Sequence, residues 1–141
     1  MSDPRHASHP TDDAIRTLLT TARTIAVVGL SDRPERDSHR VAAYLQAQGY
    51  TIIPVNPNVP QVLGQNAYAN LRDVPGPVDI VNIFRRSETV PAIVDEAIAI
   101  GARAVWMQLG IAHPAAAERA RAAGITVISD RCIMVEHRRL L

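Results

Sequence analysis

Apolar and polar positions along this chain fall into blocks whose period switches between helix and strand. After a polar lead over residues 1–10, Ile15, Leu18 and Leu19 recur at helical spacing. Thr11 precedes them as an N-cap, and Asp12 and Asp13 place negative charge in the first turn, where the helix dipole favours it. Residues 25–28 are an unbroken β-branched and small apolar run, the mark of a buried strand. Val41, Ala42 and Leu45 then give a helix over residues 38–48, with Gly49 placed to end it. The pattern repeats: strands are expected at 51–55, 79–83, 103–107 and 125–128, with helices at 88–100 and 114–123. Gly101 and Gly124 close those helices, and Pro114 opens the second at its first position. A short edge strand is expected at 62–65 and a single turn at 70–74. Residues 130–141 read as a tail. Strands alternating with helices of about ten residues imply right-handed crossovers and a parallel sheet. The expected fold is therefore α/β, three-layered, with about five parallel strands and helices on both faces. It occupies one domain over residues 11–141, behind a disordered lead.

The carboxyl ends of such strands are where ligands bind in an open α/β sheet. Residues 24–40 carry the strongest signal, because a strand ends in Gly29, passes through a polar turn and re-enters a helix near Ser38. In that arrangement loop N–H groups and the positive end of the helix dipole converge on a phosphate. The loop lacks the Gly-x-Gly-x-x-Gly spacing of a dinucleotide site. Gly29 is its only glycine, and Leu30, Ser31, Asp32, Arg33 and Pro34 fill the turn. The second strand ends in Asn56-Pro57, where an NAD site needs a carboxylate for the ribose hydroxyls. Pro57 instead stiffens a flat ledge suited to an adenine ring, though Asn-Pro also makes a plain turn. The remaining ends are Phe84-Arg85-Arg86, Gln108-Leu109-Gly110 and Ser129-Asp130-Arg131-Cys132. Arg33, Arg36 and Arg40 either hold phosphate oxygens or sit at a solvated helix start, paired with Glu35 and Asp37. Arg85 and Arg86, adjacent at one strand end, repel each other unless an anion or water separates them.

Composition narrows the options only a little. The chain has 141 residues, 47% of them hydrophobic and 21% charged, with a net charge of +1 and a single cysteine, Cys132. The near-neutral charge gives no reason to expect nucleic acid or an anionic membrane. One cysteine excludes an intramolecular disulfide and any multi-cysteine metal site, and a lone thiol fits a reducing compartment. No apolar run reaches the length of a membrane span, and the N-terminus has no secretory h-region, so the expected location is cytoplasmic. His6, His9 and His113 lack partners at metal spacing, so no metal is expected.

Five blocks then resemble a known family: Val28-Gly29-Leu30-Ser31, Pro54-Val55-Asn56-Pro57, Val78-Asp79-Ile80-Val81, Trp106 to Gly110 and Asp130 to His137. Together they are similar to the small stand-alone coenzyme A-binding proteins. The Rossmann-like domain of that family is similar to the N-terminal domain of the succinyl-CoA synthetase α subunit. The resemblance implies a Rossmann-like fold and a CoA or acyl-CoA ligand. It implies that Gly29 to Pro34 cradle the CoA pyrophosphate; Ser38 and His39, at the helix start, are counted among the cofactor-binding residues, with His39 either a phosphate donor or a surface residue. Asn56, Pro57 and Val59 would border the adenosine, and Phe84, Arg85 and Arg86 would contact the nucleotide. Gln108 and Cys132 would lie toward the pantetheine arm, and Arg131 beside Cys132 is counted among the cofactor-binding residues. The synthetase loop is richer in glycine, and its second domain, with the phosphorylated histidine, has no counterpart here.

Cys132 is the one candidate nucleophile. Arg131 and His137 are placed to favour its thiolate, which could form a mixed disulfide with CoA or accept an acyl group. The favoured reading is plainer, a buried cysteine acting as a small apolar residue. The favoured function is accordingly a CoA-binding module without catalysis of its own. The alternatives are an NAD(H)-binding redox-sensor-like protein and a CoA-thioester enzyme using Cys132. An exposed apolar stretch over residues 133–135 is the basis for expecting a homodimer or a protein partner.

Overall fold

The computed structural model describes residues 9–141. The disordered lead expected over residues 1–10 falls mainly on residues 1–8, which lie outside the described residues. Helix α1 (Asp12–Thr21) is capped by Thr11, whose Oγ1 accepts from the Ala14 N–H at 3.1 Å. It buries Ile15, Leu18 and Leu19 along one stripe. Strand β1 (Thr24–Val28) leads to α2 (Asp37–Ala47), which buries Ser38, Val41, Ala42 and Leu45. Strand β2 (Thr51–Val55) follows, then a hairpin of β3 (Gln61–Val62) and β4 (Gln65–Asn66), and a 3-10 turn at Leu71–Asp73. The rest alternates as expected. It comprises β5 (Ile80–Ile83), α3 (Val90–Ile100), β6 (Ala104–Met107), α4 (Pro114–Ala122) and β7 (Thr126–Ile128).

Two expectations are corrected. The edge strand at 62–65 is a separate two-stranded hairpin, because Leu63 and Gly64 both adopt positive φ, 53° and 75°, and turn the chain back. The Leu63 carbonyl is held there by Gln46 Nε2 at 3.1 Å. Residues 130–141 are not a tail, since Ile133–Leu140 form a fifth described helix, α5. Ile133, His137 and Leu140 recur at helical spacing and are buried, so the apolar stretch is not an exposed patch. Ile133 is fully buried, Met134 is half-buried, and only Val135 is exposed, at 51%. Arg139 clamps α5 to α1 through two bonds to Asp12, 2.9 and 2.8 Å, and the Arg16 Nε donates to the Leu140 carbonyl at 3.1 Å.

The five main strands lie in the order β2-β1-β5-β6-β7, all parallel. Tyr68 adds a one-residue bridge outside β2: its N–H donates to the Pro54 carbonyl and its carbonyl accepts from Asn56. Pro54 is tolerated because β2 is an edge strand, where its missing N–H breaks no ladder. With Tyr68 standing in for a third strand, the strand order is Rossmann-like, and its direction reverses between β1 and β5. Helices α1, α2 and α5 pack on one face around Ile25, Leu45, Trp106 and Ile133. Helices α3 and α4 pack on the other, around Ala26, Val81, Val94 and Ala120.

Candidate functional site

At the reversal, the loops leaving β1 and β5 cross in close contact. Gly29 has φ +87°, and a Cβ there would stand 2.8 Å from Arg85 Cδ and 2.9 Å from the Phe84 carbonyl. Only glycine fits that crossing. The crossing is tied on both sides: the Gly29 N–H donates to the Val55 carbonyl at 2.8 Å and the Phe84 N–H to Val28 at 2.9 Å. Beyond it the loop closes on itself. The buried Ser38 Oγ accepts from the Ser31 N–H at 3.0 Å, and the Ser31 Oγ from the Arg33 N–H at 3.1 Å. These two amides are therefore committed within the loop. The first turn of α2 offers further donors, and its N-cap, Arg36, makes no side-chain capping bond. Gly29, Ser31, Arg33, Arg36, Ser38 and Phe84 are among the residues lining a compartment of about 590 Å³. Among the described residues, Arg33 and Arg36 make no ion pair; Arg40 instead pairs with Asp37. Glu35 and Asp37 line the same compartment, and Asp37 is taken up by Arg40, so Arg33 and Arg36 beside the open start of α2 are the cations left to meet an anion there.

A second compartment, about 630 Å³, adjoins the first and shares Asp37 and Phe84 with it. Its walls include Val41, Tyr44, Gln108, Cys132 and Met134. The loops that build it are pinned. The Trp106 indole N–H donates to the Arg131 carbonyl at 2.8 Å, and Asp130, at φ 57°, accepts from the Gly110 N–H at 2.7 Å. Gln108 is buried, and its Oε1 accepts from both the Ile133 N–H and Asn82 Nδ2, each at 3.3 Å. Asn82 Nδ2 also donates to the Trp106 carbonyl at 3.3 Å, while Asn82 Oδ1 is buried with no donor. A buried acceptor left in that state costs about 1–3 kcal/mol. The pair sits in the middle of an otherwise apolar face, so this cost accompanies the placement of Gln108 at the compartment wall.

The sequence-predicted residues divide between these places. Gly29, Ser31, Arg33 and Ser38 line the first compartment, Gln108 and Cys132 the second, and Phe84 both. Leu30 is fully buried in the core, and its carbonyl accepts from Asn56 Nδ2 at 3.0 Å. Asp32 and Pro34 are exposed on the same loop, and His39 is half-buried on α2. Asn56 braces rather than projects, because its Oδ1 also accepts from the Asn58 N–H at 2.9 Å. Pro57 is exposed beside it, and Val59 packs against the core. The stem of Arg85 lies over Gly29, whereas Arg86 turns to Glu88 at 3.4 Å, so the two guanidinium groups do not share one site.

Cys132 is half-buried, packed against the core at the wall of the second compartment, and the less favoured reading, a thiol activated by Arg131 and His137, finds no support in this geometry. His137 is buried on α5, its Nδ1 bonded to the Tyr44 hydroxyl at 2.7 Å, with its ring edge-on to Tyr44 and Tyr50. Burial lowers its pKa, so it is neutral where it would have to be charged to stabilise a thiolate. Arg131 lines neither compartment, and its charge acts on Asp12. Sequence reasoning did not single out Tyr44, Met134 and Arg138. Arg138 lies 4.9 Å over the Tyr44 ring, and all three line the second compartment. The helical spacing of Ile133, His137 and Leu140 is the signal that places Met134 and Arg138, and Tyr44 follows Val41 at helical spacing on α2.

Comparison with known proteins bears on this geometry. A family profile described as a CoA binding domain matches residues 23–138. The Bacillus subtilis (strain 168) protein YneT is 44% identical over 129 residues, covering 92% of this chain and 96% of YneT. A hypothetical protein from Pyrococcus horikoshii OT3 superposes with a TM-score of 0.92 at 38% identity, over 99% of both chains. The Thermus thermophilus protein designated cell-free ID.343 gives 0.90 at 41% identity, over 94% of this chain and 100% of its own. The match extends from the strand before Gly29 to the helix after Cys132, so the chain belongs to the CoA-binding domain family.

Proposed function

We propose that this protein binds coenzyme A or an acyl-CoA in the joined compartments at the ends of β1 and β5, without catalysis of its own. The observation that carries the reading is the division of the groove. One half offers Arg33 and Arg36, in no ion pair, and an open helix start, beside Glu35 and Asp37; the other is mostly apolar, with a thiol and one amide, and also carries Arg40 and Arg138. CoA has the same division, with phosphates at one end and a pantetheine arm at the other. In this reading the diphosphate lies between the Gly29 loop and the first turn of α2. The adenosine rests on the Pro57 ledge, which Asn56 fastens to the loop. The pantetheine arm passes Phe84 toward Cys132. Binding without catalysis fits the surroundings of Cys132, where His137 is neutral and tied to a tyrosine. In this reading the protein works in the cytoplasm, a reducing compartment that suits the lone thiol of Cys132.

Calorimetric titration with CoA, acetyl-CoA, NAD and NADH side by side tests the reading. Saturable binding of the CoA compounds, with the nicotinamides silent, is expected. Binding of NADH without CoA would overturn it and favour a redox-sensor role.

A further inference from the structure

We infer that Gln108 reads the carbonyl of an acyl thioester, so that the protein prefers acyl-CoA to free CoA; the inference rests on the CoA reading above. Gln108 is 6% exposed, and its amide orientation is not free. Its Oε1 faces inward to two donors, the Ile133 N–H and Asn82 Nδ2. Turning the amide over would set Nε2 against both donors. Asn82 cannot turn to relieve that clash, because its Nδ2 also serves the Trp106 carbonyl. The Nε2 of Gln108 is therefore the arm left for the compartment, and among the described residues it donates to no protein acceptor.

A buried donor held this way selects a ligand with an acceptor at that point. The thiol of free CoA is a weak acceptor, whereas a thioester adds a carbonyl oxygen beside the same sulfur. The outer wall fits what would follow that carbonyl. Leu109 and Val135, 68% and 51% exposed, stand on the same compartment as Cys132 and Gln108, with Ile111 and Met134 beside them. An apolar acyl group covers them; a free thiol does not.

The test compares acetyl-CoA, S-ethyl-CoA and CoA by calorimetry on the wild-type protein. S-ethyl-CoA keeps the sulfur and both carbons of the acetyl group but lacks the carbonyl. One hydrogen bond predicts acetyl-CoA to bind about five- to tenfold more tightly than S-ethyl-CoA. In Gln108→Glu, which keeps the inward acceptor and loses the donor, that ratio falls to about one. Equal affinities for the two ligands in the wild type would overturn the inference while leaving the CoA reading intact. A ratio that survives in folded Gln108→Glu would overturn the assignment to Gln108. If none of the three ligands bound, the CoA reading itself would fail.

Discussion

Gly29 shows how one residue can set the shape of a site. Its absent side chain lets the Phe84 carbonyl and the Arg85 stem lie directly on the β1 loop, and its positive φ turns the chain toward Ser31. Gly29→Ala combines a disfavoured backbone conformation with a contact no rotamer can relieve, since one of the atoms it meets is backbone. We expect a loss of about 1–3 kcal/mol in stability, measured by urea denaturation. CoA affinity should fall by more than tenfold at temperatures where the variant is still folded. Unchanged affinity would mean that the crossing is structural only. Asn56 teaches a different lesson at the same scale. Its identity at the end of β2 reads from sequence as the absence of a carboxylate for ribose. The structure adds that its amide joins two loops, a role that depends on partners 26 and 2 residues away in sequence.

Among the elements, α5 links the site to the body of the protein. Its first residue, Ile133, donates to Gln108; its middle, His137, is held by Tyr44 of α2; its end is clamped to α1 by Arg139 and Arg16. His137 makes this packing sensitive to pH. Burial depresses its pKa in the folded protein, so between that value and the unfolded one near 6.5 the unfolded chain binds more protons. Stability therefore falls as pH drops below about 6.5, until the folded-state histidine is itself protonated. The denaturation midpoint should decline over that window in the wild type, and a His137→Gln variant should show a shallower decline. Equal slopes would place the titrating group elsewhere. The main strands and α1 to α4 were legible because each carries its own period, cap or closing glycine, such as Thr11, Pro114 and Gly101. Helix α5 was obscured by its brevity and by three charged residues, Glu136, Arg138 and Arg139, among its buried positions. The β3–β4 hairpin was obscured because its turn places a leucine, Leu63, at positive φ, against local preference.

For the molecule as a whole, the Rossmann-like strand order does most to locate function. Reversal between β1 and β5 brings together loops that are more than fifty residues apart, and family membership covers both. The strand ends could be listed from sequence, which is why the loop residues Gly29, Ser31, Arg33, Phe84, Gln108 and Cys132 were legible. Side-chain direction could not, so the commitment of Ser31 and Arg33 amides, the burial of Leu30 and the free arm of Gln108 emerge only in three dimensions. The measurement that tests the account most directly is a crystal structure of the complex with CoA. The account predicts the diphosphate between the Gly29 loop and the first turn of α2, with the pantetheine arm running past Phe84 and its sulfur beside Cys132 and Gln108. CoA bound on another face, or in this groove with its thiol directed away from Cys132, would contradict it.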